Sequence, residues 1–534
     1  MRTPRRSLIL VATIVVCGLF IGAAYKRGIE RGMATAIEYG PFSFQMPLAC
    51  AITDTVYKFN LGYACAAPVY RKLVEVQMAG DESENVIPRL SDGAIINESI
   101  RAASSLGPLT PGTFDTGELM TPYYNDLGMI DFIKIGFRLY GPRIESLYNL
   151  FFTLLAASTI AFILAFPGNL LAALAIVAVA FGFFAELFSN MFTPFMPTVY
   201  SMRYPSTLAI IPTLHLTLLT VWRQRMTPIA FLLALLQAAL LVFAMRIRFS
   251  AIWGVVLIFS AVVIQAAWSL YRDLKTRDIW QIAAVDGIKG LFRWPAVIVF
   301  ILLLTNAIHL RSVIHPVYES DDALPMHLTW HPWFTNYAAF DPDAMALSGL
   351  TGAAAYGDDI AWQAARLYAE RVHLIKDPAT LNLTMTKFGT RIAFHDVLMR
   401  RVFLDYITRH PLRALKVYLF VKVPIVAIRY WRDKAAAFQT WLTVSGFALA
   451  AIFAACLVLL PWSLSQGASM LAVMAAAVIA SGLPHVAGAP NLAYFGDMFI
   501  IWPAAFYVGT PLALFLLILR KRPSWLKGRG VVTP

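Results

Sequence analysis

Apolar residues in this chain are gathered into long runs separated by polar stretches, rather than alternating at short range. Hydrocarbon gives a bare backbone no hydrogen-bond partners, and about 20 apolar residues in a helix cross it, so each run reads as a candidate span. Ten such runs are present, at 7–24, 147–166, 169–188, 205–222, 229–245, 251–270, 295–310, 438–460, 469–483 and 498–519. They predict an all-α polytopic membrane protein with about ten transmembrane helices and two large external, mostly helical regions.

Basic residues orient it, because short loops rich in Lys and Arg stay on the cytoplasmic side. With the N-terminus inside, MRTPRR, RQRMTP, the 271–294 loop and the tail RKRPSWLKGRG all fall inside, and the turns at 166–169 and 463–467 carry no charge. An even number of spans returns the C-terminus to the same side. The expected organisation is then an N-terminal anchor (1–25), a first external loop with a surface helix (26–146), spans two to seven (147–310), an external helical subdomain (311–434), spans eight to ten (435–520) and a basic cytoplasmic tail (521–534). Within 311–434, residues 358–373 and 394–410 show helical amphipathic patterns. The stretch 412–431 reads as a helix lying in the interface, since Arg413, Lys416, Lys422 and Arg429 interrupt its apolar residues.

Composition agrees: 59% of residues are hydrophobic, 14% are charged and mean hydropathy is +0.64, which excludes an ordinary soluble domain. The net charge of +13 follows from the topology and does not call for nucleic acid. No Walker motif, strand-to-helix GxGxxG or CxxC spacing is present, so nucleotide cofactors and a cysteine zinc site lack support. Of the four cysteines, Cys50 and Cys65 share the first external region, where a bridge and two free thiols read identically. Asn97-Glu98-Ser99 and Asn382-Leu383-Thr384 form glycosylation sequons.

Candidate chemistry centres on 121–152, TPYYNDLGMIDFIKIGFRLYGPRIESLYNLFF. An acid-bearing loop (Asn125, Asp126, Asp131) leads into an amphipathic segment in which Lys134, Arg138 and Arg143 interleave with apolar residues, which suits a helix on the membrane surface with its cations at headgroups. Gly141-Pro142 breaks that helix before the next span. Asp126 is the candidate general base, with a plain helix cap as its alternative role, and Asp131, five residues on and so off its helical face, is the candidate second acid. Arg203, Arg246 and Arg248, at external ends of spans, are candidates for binding a lipid phosphate; snorkelling towards headgroups is the alternative. His327 and His331, near Trp330 and Trp333, are candidate contacts for a sugar acceptor, while Pro325 and Pro332 argue against a regular helix there.

The order of parts in the first 170 or so residues resembles the GT-C superfamily of integral-membrane glycosyltransferases: a span, an external loop with an acid after a Tyr-rich turn, a surface helix, a Gly-Pro break and a second span entered by ESLYNLFF. The resemblance implies a GT-C-like fold, a catalytic acid in the first external loop, a polyprenyl-phosphate sugar as donor and a glycan or protein acceptor. It implies transfer on the external face, in envelope glycan or glycoprotein assembly, at a membrane such as the bacterial inner membrane. The family usually carries paired acids where this chain has Asn125-Asp126, which leaves open whether a divalent metal takes part. A non-catalytic membrane protein, such as a lipid or polysaccharide transporter or an assembly factor, is the alternative reading.

Overall fold

A computed structural model of the chain describes residues 41–78, 93–109, 119–122, 127–166, 205–222, 226–276, 293–319, 330–350, 357–372 and 390–422, with single positions at 176 and 473. Most of these residues are helical. The first group of elements comprises α1 (Pro41–Thr55), a two-residue strand β1 (Cys65–Ala66), α2 (Ala67–Met78), α3 (Gly93–Ser104), β2 (Leu119–Met120) and α4 (Gly128–Tyr140). The strands pair antiparallel, Cys65 with Met120 and Ala66 with Leu119.

Longer apolar helices follow: α5 (Glu145–Ala165), α6 (Ile210–Val221, entered through a 3-10 turn at Pro205–Ala209), α7 (Pro228–Ile247), α8 (Ile252–Thr276) and α9 (Trp294–Val313). Among the described residues four stretches are long and apolar enough to cross a membrane, namely Glu145–Ala165, Pro228–Ile247, Ile252–Tyr271 and Trp294–Val313, and Pro205–Val221 is a shorter apolar helix. These match five of the sequence-derived spans to within a few residues. The other five lie wholly or almost wholly outside the described residues.

Helices α5 and α6 are the inner members of the bundle, α6 being buried from Ile210 to Thr220, whereas α9 leaves Phe300, Ile301, Leu304 and Ile308 more than half exposed. Such an apolar surface on a 20-residue helix suits a lipid environment. Between α5 and α7 a polar clasp closes on itself: Ser158 Oγ donates to Gln237 Oε1 (2.7 Å) and Gln237 Nε2 donates to the Ser158 carbonyl (2.8 Å). Satisfied polar groups of this kind hold apolar helices in register where the hydrophobic effect does not discriminate between partners.

The break after α4 falls where the sequence places it. Gly141 takes φ +89, a conformation that L side chains rarely adopt, and its N–H still bonds the Phe137 carbonyl. The helix itself differs from the expected surface helix. It packs against α1, α5 and α7, burying Met129, Ile130, Phe132, Ile133 and Phe137, and only Ile135 and Leu139 remain exposed among its large apolar residues. Lys134 and Arg138 therefore meet a protein carboxylate, Asp54 of α1, rather than headgroups.

A second core belongs to the helical subdomain: α10 (Trp330–Ala338), α11 (Pro342–Ala346), α12 (Gly357–Arg371), α13 (Thr390–Arg409) and α14 (Pro411–Lys416), which runs on as a π-helical turn to Lys422. Helices α12 and α13 reproduce the two amphipathic segments, with Ala361, Ala364, Ala365 and Ala369 buried against Leu398, Met399, Val402 and Phe403. Contrary to expectation, Pro332 lies inside α10. It occupies the first turn, where the missing N–H has no intrahelical acceptor to lose. Asp396 of α13 caps that turn, accepting from the N–H groups of Trp330 (2.8 Å) and His331 (3.2 Å).

Candidate functional site

Three separate parts of the fold converge beside the first turn of α4. Asp131 projects from that turn, Tyr63 comes from the loop after α1, and Arg246 comes from the last turn of α7. Arg246 Nη2 donates to Asp131 Oδ2 and to Tyr63 Oη, both at 2.5 Å, and Tyr63 Oη donates to Asp131 Oδ2 at 3.0 Å. One carboxylate oxygen thus faces a guanidinium and a phenol that are themselves hydrogen-bonded.

Close backbone approach makes this possible. A Cβ on Gly128 would lie 2.5 Å from the Ile247 nitrogen, so α4 reaches the end of α7 only because residue 128 has no side chain. The Tyr63 turn is held by hydrogen bonds to its backbone from a distant part of the sequence. The His315 N–H donates to the Gly62 carbonyl (2.9 Å) and the buried Tyr318 hydroxyl donates to the Tyr63 carbonyl (3.3 Å), both from the segment that follows α9.

Electrostatics separates the partners. Burial pushes the Asp131 carboxyl above the ordinary aspartate value, and Arg246 and then Lys134 pull it back only in part. Burial, and next the neighbouring Asp131 charge, push the Tyr63 phenol up to about 12. Asp131 is therefore an aspartate with raised basicity, and Tyr63 is a proton donor throughout the neutral range. Asp131 and Arg246 are 19% and 16% exposed, so the pair is largely but not wholly removed from solvent. The Arg246 Nε–H is buried and has no hydrogen-bond partner among the described residues.

A second ion-pair set lies one turn along. Lys134 Nζ is 2.6 Å from Asp54 Oδ2 and Arg138 Nη2 is 2.7 Å from Asp54 Oδ1, while the Lys134 ammonium stands 5.8 Å from the Tyr63 ring centroid. Asp131, Lys134 and Arg138, spaced i, i+3 and i+7, lie along one helical face. That spacing was visible in the sequence. Asp54 and Tyr63 were not, because neither position carries a local signal pointing across to α4.

Of the residues singled out in the sequence, the structure brings Asp131 and Arg246 into contact. Arg248 sits half-buried at the C-cap of α7, in extended backbone. Asp126, Arg203 and His327 lie outside the described residues. His331 is placed in the second core, 5% exposed, its Nδ1 2.9 Å from His395 Nε2 and its ring against Trp362. That surrounding makes it an internal packing residue of the subdomain rather than a surface open to an acceptor. Cys50 and Cys65 are both buried free thiols. The first sequon is built into the fold: Asn97 donates to both Glu145 carboxylate oxygens and accepts from the Ile144 N–H, and Ser99 is fully buried. Among the described residues no group of three His, Cys, Asp or Glu side chains converges as metal ligands would. Comparison with protein-family models, with curated proteins and with solved structures gives no match to this chain.

Proposed function

We propose that this protein is a GT-C-like integral-membrane glycosyltransferase, with about ten spans, both termini cytoplasmic and its site on the external face of a membrane such as the bacterial inner membrane. The observation that carries the reading is a buried carboxylate of raised basicity, Asp131, held between Arg246 and Tyr63 at the end of an apolar helix bundle. A lipid-linked substrate presents its headgroup at that level, next to the hydrocarbon in which its tail is anchored.

In this reading Asp131 takes the proton of the acceptor hydroxyl as the hydroxyl oxygen attacks C1 of the donor sugar. The C1–O bond to phosphate breaks, and the polyprenyl phosphate leaves with the electron pair. Arg246 steadies the departing oxyanion through the guanidinium N–H groups not spent on Asp131 and Tyr63, since guanidinium matches phosphate oxygens in a two-pronged fashion. Arg248 and Arg203 are the further candidate cations, Asp126 is the second candidate acid, and His327 remains a candidate acceptor contact. The exposed Leu412, Leu415, Leu419 and Phe420, beside Arg413 and Lys416, support the interfacial helix of the proposed topology. Donor class, acceptor class and use of a divalent metal belong to the same proposal.

The test is sugar transfer by the purified full chain in proteoliposomes supplied with a panel of polyprenyl-phosphate hexoses. Asp131→Asn should lower transfer by about 100-fold or more at unchanged expression, in line with loss of a general base. Asp126→Asn, assayed alongside, decides between the two acids. Undiminished transfer in the Asp131→Asn protein removes Asp131 from the mechanism. No transfer by the parent protein from any donor favours the transporter or assembly-factor reading.

A further inference from the structure

The helical subdomain holds a cleft of about 860 Å³ between α12 and α13, closed at one end by α11. Its charge is uneven in a specific way. Arg371, Arg400, Arg401 and Arg409 line it together with Asp343 and Asp405. Each acid has a cation in contact: Asp405 pairs with Arg409 at 2.9 Å, and Asp343 shares Arg413 with Asp341. Arg400 has a cation–π contact, its guanidinium carbon 5.8 Å from the Trp330 ring, and neither it nor Arg371 nor Arg401 has a carboxylate partner among the described residues. Three guanidinium groups thus share one concavity with no carboxylate in ion-pair contact with them among the described residues, and the cleft's arginines outnumber its two acids. Arg371 stands in the last turn of α12, where the helix dipole accounts for a cation, but Arg400 and Arg401 are in the middle of α13, where it does not.

The remaining lining is apolar and ring-bearing. Val372, Val397 and Leu404 are exposed into the cleft at 41%, 49% and 39%, beside the half-buried ring of Tyr368. Exposed valines and a tyrosine face suit the C–H faces of sugar rings, whereas guanidinium forks suit carboxylate or phosphate groups. The volume falls in the range of sites that enclose a short ligand rather than a single ion.

We infer that this cleft binds an anionic saccharide, its acid groups set on Arg371, Arg400 and Arg401 and its ring faces on Tyr368 and the exposed valines. As the seat of the acceptor this rests on the transferase reading; as a binding site it stands without it. The recognised chemistry is a sugar-borne oxyanion, either a uronate carboxylate or a phosphate ester.

Titration calorimetry of the full chain in detergent tests it with a short oligogalacturonate, a phosphorylated manno-oligosaccharide, a neutral malto-oligosaccharide and inorganic pyrophosphate. At least one acidic saccharide should bind about tenfold or more tightly than the neutral one, and its affinity should fall as salt rises. Which of the two binds identifies the acid. R400Q/R401Q should weaken that binding about tenfold or more, with R400K/R401K retaining part of it, and R371Q on the opposite helix should weaken it independently. Asp131→Asn should leave it unchanged. Equal binding of neutral and acidic saccharides, binding of pyrophosphate alone, or full affinity in R400Q/R401Q overturns the inference. Loss of transfer with intact saccharide binding, or the reverse, tells failure of the catalytic reading from failure of the cleft.

Discussion

Arg246 does two things that a single substitution separates. It neutralises Asp131 in a site where the carboxylate is 19% exposed, and it presents the remaining guanidinium N–H groups to whatever approaches. Arg246→Ala leaves the acid buried without its main counter-charge and should destabilise the protein by about 3 kcal/mol. Adding Asp131→Asn to that variant should restore at least about 1 kcal/mol, because the stranded charge is gone, and a double-mutant cycle on thermal unfolding in detergent reads the coupling directly. Strict additivity of the two substitutions would show that the ion pair contributes nothing. Tyr63→Phe is the milder probe. It removes one donor to Asp131, costs about 1 kcal/mol, and should shift the acidic limb of the transfer-rate profile to higher pH, since the lost hydrogen bond was one of the groups holding the carboxyl down.

At the scale of the element, α4 shows what periodicity discloses and what it hides. The pattern from Ile130 to Leu139 announces a helix with Asp131, Lys134 and Arg138 along one side, and the Gly-Pro break announces its end. The same pattern assigns the cations to lipid headgroups, because nothing local to α4 reveals that Asp54, some 80 positions earlier, faces them across α1. Amphipathicity fixes which side of a helix is polar but not what that side touches. The approach of α4 to α7 is a case of the same kind. Gly128→Ala favours a free helix, yet here its methyl group overlaps the backbone of Arg246 and Ile247. The substitution should destabilise by about 1–3 kcal/mol through overpacking and should lower transfer along with stability by displacing Asp131 from Arg246. Unaltered stability in Gly128→Ala would mean that the helices part freely.

Element pairs in the subdomain also set a response to pH. His395 of α13 is 1% exposed, stacked 3.7 Å from the Trp362 ring centroid, and burial, followed by the nearby His331, lowers its imidazole to about 2. The unfolded chain takes up a proton near the ordinary value of about 6.5, so the stability that neutral His395 contributes is complete above that pH and declines below it. Between pH 6.5 and 4.5 the decline is about 2 kcal/mol. Asp341, elsewhere in the same core, adds a loss of the same sign only at lower pH: its carboxyl, pushed up by burial, is brought below its ordinary value by hydrogen bonds from Arg413, Tyr337 and Tyr406, so its contribution is complete through this window and goes below the ordinary aspartate value. Hydrogen exchange in 390–409 of the full chain should accelerate as pH falls through this window, after correction for the intrinsic rate, and His395→Gln should flatten the trend. A slope unchanged by His395→Gln would assign the acid response elsewhere.

For the whole molecule, the directions of the long helices carry more than their number. Helix α7 ends at the site with Arg246 and has 20 residues, so at about 1.5 Å per residue its first turn lies about 30 Å away, the thickness of a hydrocarbon core. Helix α9 likewise ends beside Gly62 through His315. The first turns of α7 and α9 therefore lie at the end of the bundle away from Asp131, and the sequence preceding each is basic, as the proposed topology requires. Single-cysteine reporters test this in a background with all four native cysteines replaced. Asn60→Cys, in an exposed position three residues before Tyr63, and Asp359→Cys, exposed on α12, should react with a membrane-impermeant maleimide in intact cells, and Met226→Cys, 59% exposed at the start of α7, should react only after permeabilisation. Labelling of Met226→Cys and Asn60→Cys from the same side would show that α7 does not span the membrane, and labelling of Asp359→Cys only after permeabilisation would put the arginine cleft on the opposite face from Asp131. The second outcome would leave both sites standing as chemistry while ruling out that a saccharide held in the cleft is the acceptor for Asp131.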